Sequence, residues 1–287
     1  MTSTLESTMH SPRTIRRATV ITHGKAQTIG AALVRVERVA QDHGVELLFS
    51  GEEQEKHSLG ARKAERAEAD IAVVLGGDGT MLRALARFLG SGVPVIGVNF
   101  GRVGFLASIR QDDLEDGLAR VFAGEYHTVE LPTLEAETNG RLAVGVNDVV
   151  ATSSTLGRMV ELQWNVGGED LGRVPCDGVI CATPSGSTAY NLSNGGPVLV
   201  RGLDAMAVTF VAPHSLHARP LVVPRGLDLI VWNRTQDVPI TVLLDGHAVG
   251  EVAPAGRVVV RLGEQESLLA TLPESTFFAR YRETFVS

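Results

Sequence analysis

The residues best suited to chemistry are Gly76-Gly-Asp-Gly-Thr80, which follow directly on the apolar run Ile71-Ala-Val-Val-Leu75. Gly76, Gly77 and Gly79 remove the side chains around Asp78, so backbone amides can approach a ligand closely and a tight turn costs little. The run before them is short, continuous and rich in β-branched residues, as a strand buried on both faces of a parallel sheet requires. Thr80 is placed to cap a following helix, because Met81, Leu82, Leu85, Phe88 and Leu89 recur at helical spacing. A strand, a glycine turn and a helix N-terminus form an anion site, since the first N–H groups of a helix have no partner within it. A carboxylate inside such a site suits an Asp78 that takes a proton, or holds a hydroxyl or a metal, beside a phosphate. Aspartate at such junctions also serves as a plain cap or turn former, and the rest of the chain has to decide between these roles.

Five further groups bear on that decision. Asn99-Phe-Gly-Arg-Val-Gly-Phe-Leu106 again puts glycines at the end of an apolar run, with Phe105 either the wall of a pocket that stacks a base or simply core. Asn147-Asp148 interrupts the alternation of Val144 and Val146, and Val149-Val150 then continues as strand. Burying an amide beside a carboxylate is costly unless both are paired; a ribose diol, donating to one and accepting from the other, offers that pairing, and a plain turn is the alternative. Asp177-Gly178 opens a strand that leads into Thr183-Pro-Ser-Gly-Ser-Thr-Ala-Tyr190 and Asn191-Leu-Ser-Asn-Gly-Gly-Pro197. So dense in hydroxyls, glycine and amides, this stretch cannot form a packed element, and it can line a polar pocket. A flexible Ser/Gly linker fits poorly with Tyr190, Leu192 and two prolines at fixed places. Pro213-His-Ser-Leu216 is weaker, His214 being more simply structural, and Asp245-Gly246 before His247 reads first as a hairpin turn.

Several chemistries find no support. There is no nucleophile-elbow serine and no Gly-Lys-Ser/Thr of a P-loop. Gly90-Ser-Gly92 lacks the third glycine of a dinucleotide fingerprint and follows a helix, which disfavours a hydride-transferring Rossmann domain. Cys176 and Cys181 have no second pair, and His214 and His217 do not complete a zinc set, so both are expected to be reduced, structural thiols.

The elements that must position these residues fall into two regimes. From Ala18 to Tyr126 strands alternate with helices: strands over Ala18–Thr22, Val45–Phe49, Asp70–Leu75 and Val93–Val98, helices over Gly30–His43, Arg62–Ala69, Thr80–Leu89 and Asp112–Ala123. That alternation predicts βαβ units in a parallel sheet, with ligands at the carboxyl ends of strands. After Leu131 the helical period gives way to short runs at Val144–Ala151, Val160–Val166, Val179–Ala182, Ala207–Val211, Leu227–Trp232, Ile240–Leu244 and Arg257–Leu262. Turn residues between them predict an all-β, sandwich-like domain. The aromatic stripe Phe277, Phe278, Tyr281 and Phe285 predicts a terminal helix that returns to the first domain. The expected division is a disordered leader 1–17, an α/β domain 18–130, a β-rich domain 131–265 and a returning tail 266–287.

With 287 residues, 44% hydrophobic and 21% charged, the chain has the composition of a globular protein with sizeable cores. A net charge of −7 gives no footprint for nucleic acid or an anionic membrane, so phosphate chemistry must rest on a local site. The first 17 residues lack the apolar core of a signal peptide, and a cytoplasmic location is the expectation.

Together these residues resemble the NAD kinase family. Gly76–Thr80 matches its GGDGT motif and Asn147-Asp148 its NE/D motif, while Asn99–Leu106 and Asp177–Pro197 look like its two glycine-rich segments. Pro213–Leu216 with Arg219-Pro-Leu221, and Asp245-Gly246, are similar too; the motifs run in the family's order from about residue 70 to 250. Lipid kinases share GGDGT and 6-phosphofructokinases carry a near relative, but the combination with Asn147-Asp148 and Thr183–Tyr190 is specific. The resemblance implies phosphorylation of the adenosine-ribose 2′-hydroxyl of NAD by ATP or polyphosphate, giving NADP, in a cleft between the two domains. It implies a homodimer or homotetramer, and Mg²⁺ or another divalent cation carried with the phosphoryl donor rather than by protein ligands. Asp78 would be the general base; Gly79, Thr80, Arg83 and Phe105 would lie on the substrate, and Asn147 and Asp148 on a ribose. Arg158, Asp177, Thr188, Ala189, Tyr190, Asn191, Leu192 and Ser193 would complete the NAD pocket. Two positions depart from the pattern: His247 stands where glutamine is common, and Pro175 where relatives often carry a basic residue. A lipid kinase would instead need an apolar acyl pocket, a sugar kinase an α/β second domain, and a dinucleotide-binding regulator would have no use for Asp78.

Overall fold

The computed structural model describes residues 14–23, 26–57, 69–101 and 104–286. The expected helix over Arg62–Ala69 lies, but for Ala69, outside the described residues, as does the leader up to residue 13. The described residues divide into two units, one from Met1–Glu130 with Ser267–Ser287, the other Leu131–Glu266.

In the first unit the strands are β1 (Arg17–Thr22), β2 (Glu46–Phe49), β3 (Ile71–Gly76), β4 (Val95–Asn99), β5 (Ile109–Arg110), β6 (His127–Leu131) and, from the end of the chain, β19 (Ser267–Thr271). They form one sheet in the order β2-β1-β3-β4-β19-β6, with β5 beside β4, and its central pairs are parallel. Helices α1 (Ala26–Asp42) and α4 (Leu114–Phe122) cover the face carrying Ile71, Val73 and Leu75. Helix α3 (Asp78–Arg87) covers the other face, where a β-carbon at Gly97 would run into the Met81 side chain. Both faces of β3 are thus buried, which is why its sequence is continuously apolar. The short α2 (Gly51–His57) was not expected, because GEEQEKH has no apolar period; it is held by one buried side chain, Glu53. The terminal helix α6 (Phe277–Phe285) is capped by Thr276, whose hydroxyl accepts the Ala279 N–H.

Helix α3 begins two residues before the expected cap. Gly77, in extended conformation, is the N-cap, and its carbonyl accepts the N–H groups of Thr80 at 2.9 Å and Met81 at 3.1 Å. Thr80 is therefore not the cap but a buried residue of the first turn, its hydroxyl lying against Gly76. A β-carbon at Gly76 would occupy that space, so the first glycine of the motif is needed by the fold itself.

The second unit is an antiparallel sandwich of two six-stranded sheets. One, in the order β11-β10-β15-β18-β7-β8, contains β7 (Leu134–Thr138), β8 (Arg141–Gly145), β10 (Val160–Val166), β11 (Glu169–Cys176), β15 (Leu229–Asn233) and β18 (Arg257–Leu262). The other, β14-β13-β12-β9-β16-β17, contains β9 (Asp148–Ser153), β12 (Gly178–Ala182), β13 (Ala205–Val211), β14 (Leu221–Pro224), β16 (Ile240–Leu244) and β17 (His247–Val252). Inward residues of both sheets, among them Leu134, Val149, Leu162, Met206, Val231, Val242 and Val260, make one core. Cys176 and Cys181 are buried in it without a disulfide, and burial pushes the Cys176 thiol up to about 12 and that of Cys181 higher still. The expected architecture, an α/β first domain with a parallel sheet and an all-β second domain, is the one observed.

The single strand expected over Val144–Ala151 is in fact two. The chain leaves β8 at Gly145, bends through Val146 and Asn147, and enters the opposite sheet as β9. Asn147 is therefore in a sandwich corner and not in a strand interior.

Candidate active site

Gly76 ends β3 beside Asn99 at the end of β4, so both glycine-rich segments emerge from the carboxyl edge of the parallel sheet. Asp78 is the first residue of α3, half-buried, where the helix dipole favours a negative charge. Its carboxylate accepts three consecutive backbone N–H groups, from Phe105 at 2.8 Å, Leu106 at 3.2 Å and Ala107 at 3.4 Å. A carboxylate has about four lone-pair positions, so this cradle orients Asp78 and leaves acceptor capacity for a ligand. Gly104 is what lets the cradle close, since a β-carbon there would overlap the Asp78 carboxylate. Gly77 and Gly79 are different: among the described residues, a β-carbon at either meets nothing within 4 Å. Gly79 and Arg83 are both exposed, four residues apart on one face of α3. Phe105 is half-buried, with its ring centroid 6.0 Å from Phe277 and 5.7 Å from Phe285, so the side chain rests on α6.

At the same edge, the end of β1 carries a buried polar group that sequence reasoning missed. Glu53, 2% exposed, accepts the Thr22 N–H at 3.1 Å and hydroxyl at 2.6 Å and the Lys56 ammonium at 2.9 Å. His57 Nε2 lies 2.9 Å from the same hydroxyl. Nothing in a polar heptapeptide signals that its second glutamate is buried.

In the second unit the corner at Asn147 is built by Asp245. This residue does make the expected hairpin turn, with φ of 49° followed by 81° at Gly246. Its carboxylate also accepts the N–H groups of Val146 at 2.8 Å, Asn147 at 2.7 Å and Asp148 at 3.2 Å. Asp148 is 7% exposed, and no hydrogen bond reaches its carboxylate among the described residues. Burial first, and the like charge of Asp245 second, push its carboxyl from the ordinary 3.8 up to about 6. The Oδ1 of Asn147 and the hydroxyl of Ser185 are buried without partners among the described residues. An acceptor-only carboxylate beside unpaired polar atoms suits a ligand bearing hydroxyls.

The loop after β12 packs against this corner more tightly than its composition suggested. It forms a 3₁₀ turn over Gly186–Thr188 and a helical turn, α5 (Tyr190–Ser193). The side chains of Thr183, Ser187, Thr188 and Asn191 all find backbone acceptors, Ser185 being the exception, which is why so polar a stretch can be buried. Thr183 Oγ1 donates to Val146 O at 2.7 Å, and Ser187 Oγ to Pro184 O at 2.7 Å. Asn191, fully buried, donates to Ser187 O and Pro197 O, each at 3.0 Å, so its side chain shapes the loop. Thr188, Ala189 and Leu192 are half-exposed, and Tyr190 and Ser193 are exposed. Gly186 sits against the Asn147 carbonyl, leaving no space for a β-carbon. His247 follows the Asp245 turn, exposed, with Nδ1 3.0 Å from Asp245 O.

Arg158 and Asp177 do not join this corner. Asp177 is exposed, and its carbonyl accepts the Ser153 N–H at the far end of β9. Arg158, also exposed, follows that end of β9 and pairs with Asp237 at 2.9 Å. The length of β9 separates the two ends by roughly 17 Å. Pro175 is half-buried and accepts the His214 N–H at 2.7 Å, a structural use of the position.

Two family models cover most of the chain: the ATP-NAD kinase N-terminal domain matches residues 14–126, and the ATP-NAD kinase C-terminal domain residues 146–272. The chain belongs to the NAD kinase family. The NAD kinase of Gemmatimonas aurantiaca is 36% identical over 245 residues, covering 82% of this chain and 84% of that one. The NAD kinase of Symbiobacterium thermophilum is 38% identical over 221 residues, covering 75% and 78%. Among solved structures, an NAD kinase from Archaeoglobus fulgidus in complex with ATP aligns with a TM-score of 0.74 at 25% identity, covering 93% of this chain and 98% of that one. Yeast NADH kinase complexed with NADH aligns with a TM-score of 0.83 at 20% identity, covering 96% and 88%, and shares the fold. Within the family, the cradled Asp78 stands at the GGDGT aspartate and the Asp245-pinned corner at the NE/D pair.

Proposed function

We propose that this NAD kinase family member phosphorylates the adenosine-ribose 2′-hydroxyl of NAD, giving NADP, with Asp78 as general base. The observation that carries the reading is the cradle of three amides, which fixes a half-buried carboxylate at the N-terminus of α3 while leaving it able to accept a proton. Asp78 takes the hydroxyl proton as the oxygen bonds to phosphorus, and the donor's bridging oxygen leaves with the electron pair. Gly79 and Arg83 contact the substrate from α3, and the room at Gly77 and Gly79 suits backbone approach to phosphate. Phe105 shapes the cradle through its own backbone, and buried Thr80 holds the first turn. Asn147 and Asp148 take a ribose diol; Thr188, Ala189, Tyr190, Leu192 and Ser193 line the same corner, with Asn191 supporting them and His247 at its rim.

The phosphoryl donor is ATP, another nucleoside triphosphate or polyphosphate. A divalent cation such as Mg²⁺ would come with the donor, bound to its phosphate oxygens. There it would supply positive charge to neutralise the transferred phosphoryl group. The separation of Arg158 and Asp177 from the Asn147 corner favours a homodimer or homotetramer in which these two residues serve a neighbouring copy's pocket. No described helix is long and apolar enough to cross a membrane, and a cytoplasmic location fits the substrates.

Incubation with NAD or NADH, Mg²⁺ and either ATP or polyphosphate, followed by quantification of NADP(H), tests the reading. NADP(H) is expected; its absence with every donor, despite NAD binding, would favour a regulator.

A further inference from the structure

Between Gly104 and β5 the chain has no helix or strand of its own, yet this stretch holds the Asp78 carboxylate. Its amide side is taken by Asp78. Its carbonyl side is taken by a residue from the far end of the chain: Arg280 Nη2 donates to Ala107 O at 2.8 Å and to Ser108 O at 2.9 Å. Arg280 is 8% exposed and its other terminal nitrogen reaches Glu283 at 3.4 Å. The aromatic rings of Phe277 and Phe285 grip the same stretch at its start, through Phe105. A guanidinium is rarely buried unless it is paired, and its planar fork fixes the groups it bonds more rigidly than a point charge would.

We propose that Arg280 is a positioning residue for phosphoryl transfer: by holding the Ala107 and Ser108 carbonyls it fixes the three amides just before them, and so the direction of Asp78. This rests on the reading of Asp78 as base. The rival is that Arg280 only docks α6 on the first unit, in which case its loss lowers stability and leaves turnover alone.

The two are separated by kinetics of the full-length chain carrying Arg280→Gln, Arg280→Lys, Asp78→Asn and the double variants. Arg280→Gln is expected to lower kcat on the order of 10- to 100-fold, since a misplacement of about 1 Å costs that much. KM for NAD should stay within roughly twofold, because the interaction lost is one felt in the transition state. Arg280→Lys should recover part of the loss, an ammonium being able to reach both carbonyls. Combined with Asp78→Asn, either Arg280 variant should cost nothing further, as there is no carboxylate left to aim. If Arg280→Gln fails to fold, Arg280→Lys alone carries the same comparison. A lowered Tm with unchanged kcat, or a full additional loss in the Asp78→Asn background, would overturn the proposal. Near-native turnover by Asp78→Asn itself would instead overturn the role of Asp78, so the two failures are distinguishable.

Discussion

Gly104 and the Asp78 carboxylate compete for one volume: a β-carbon at Gly104 would overlap the carboxylate that accepts the next three N–H groups along the chain. The glycine is 26 residues from the aspartate it serves, and its backbone is not in the left-handed region. Its role is therefore close approach rather than conformational freedom. Gly104→Ala should push Asp78 off its amides and lower kcat by about 10-fold or more. Thermal unfolding should change little, because the displaced group is the end of a half-exposed side chain. Steady-state kinetics beside a melting curve would check both.

Burial of Asp148, with the like charge of Asp245 second, predicts a pH dependence. The folded chain holds the Asp148 proton more tightly than the unfolded chain, its carboxyl standing at about 6 against 3.8. The stability this group contributes is therefore fully present below about pH 4 and lost as pH rises through about 6. At about 1.4 kcal/mol per pKa unit, the loss is on the order of 3 kcal/mol. Asp148→Asn should thus raise the melting temperature at pH 8 and leave it nearly unchanged at pH 4. The same substitution should weaken NAD binding, because in the proposed function the ionised carboxylate accepts the ribose hydroxyls. Melting curves at the two pH values, with KM for NAD at pH 8, are the measurement.

Gly79 and Gly186 should respond in opposite senses. Among the described residues a methyl at Gly79 meets no atom, and it sits in the first turn of α3, so Gly79→Ala should leave stability unchanged or raise it by up to about 1 kcal/mol. It should nonetheless raise KM for substrate, because in the proposed function the substrate approaches the backbone at this glycine. Gly186→Ala drives a methyl into the Asn147 backbone, and should cost about 1–3 kcal/mol while also raising KM for NAD. Urea unfolding and initial rates on the two variants would separate a glycine kept for substrate from one kept for packing.

Much of this was legible in the chain because the signals are local. An apolar run ending in glycine, followed by helical spacing from Met81, is enough to place β3, the turn and α3. Where the helix starts was misjudged because Thr is a better cap by propensity, whereas here Gly77 caps and Thr80 fills the space over Gly76. The edge strand β11, largely exposed, and the strand β17 carry too little apolar alternation to announce themselves. Asp245 was read as a turn residue, correctly, but its grip on Val146–Asp148 spans almost a hundred positions and has no sequence signature. The same holds for Arg280, whose link to Ala107 exists only once β19 and α6 have returned to the first unit. Motif residues could be found from spacing; the residues that aim them could not.

The most direct test of the account is the turnover of Asp78→Asn. A positioned base supplies about 10²–10⁴-fold, so NADP formation from NAD, Mg²⁺ and the preferred donor should fall at least 100-fold while calorimetry still detects NAD binding. Turnover near that of the unmodified chain, with the same donor and the same affinity for NAD, would contradict the assignment of Asp78 as the base.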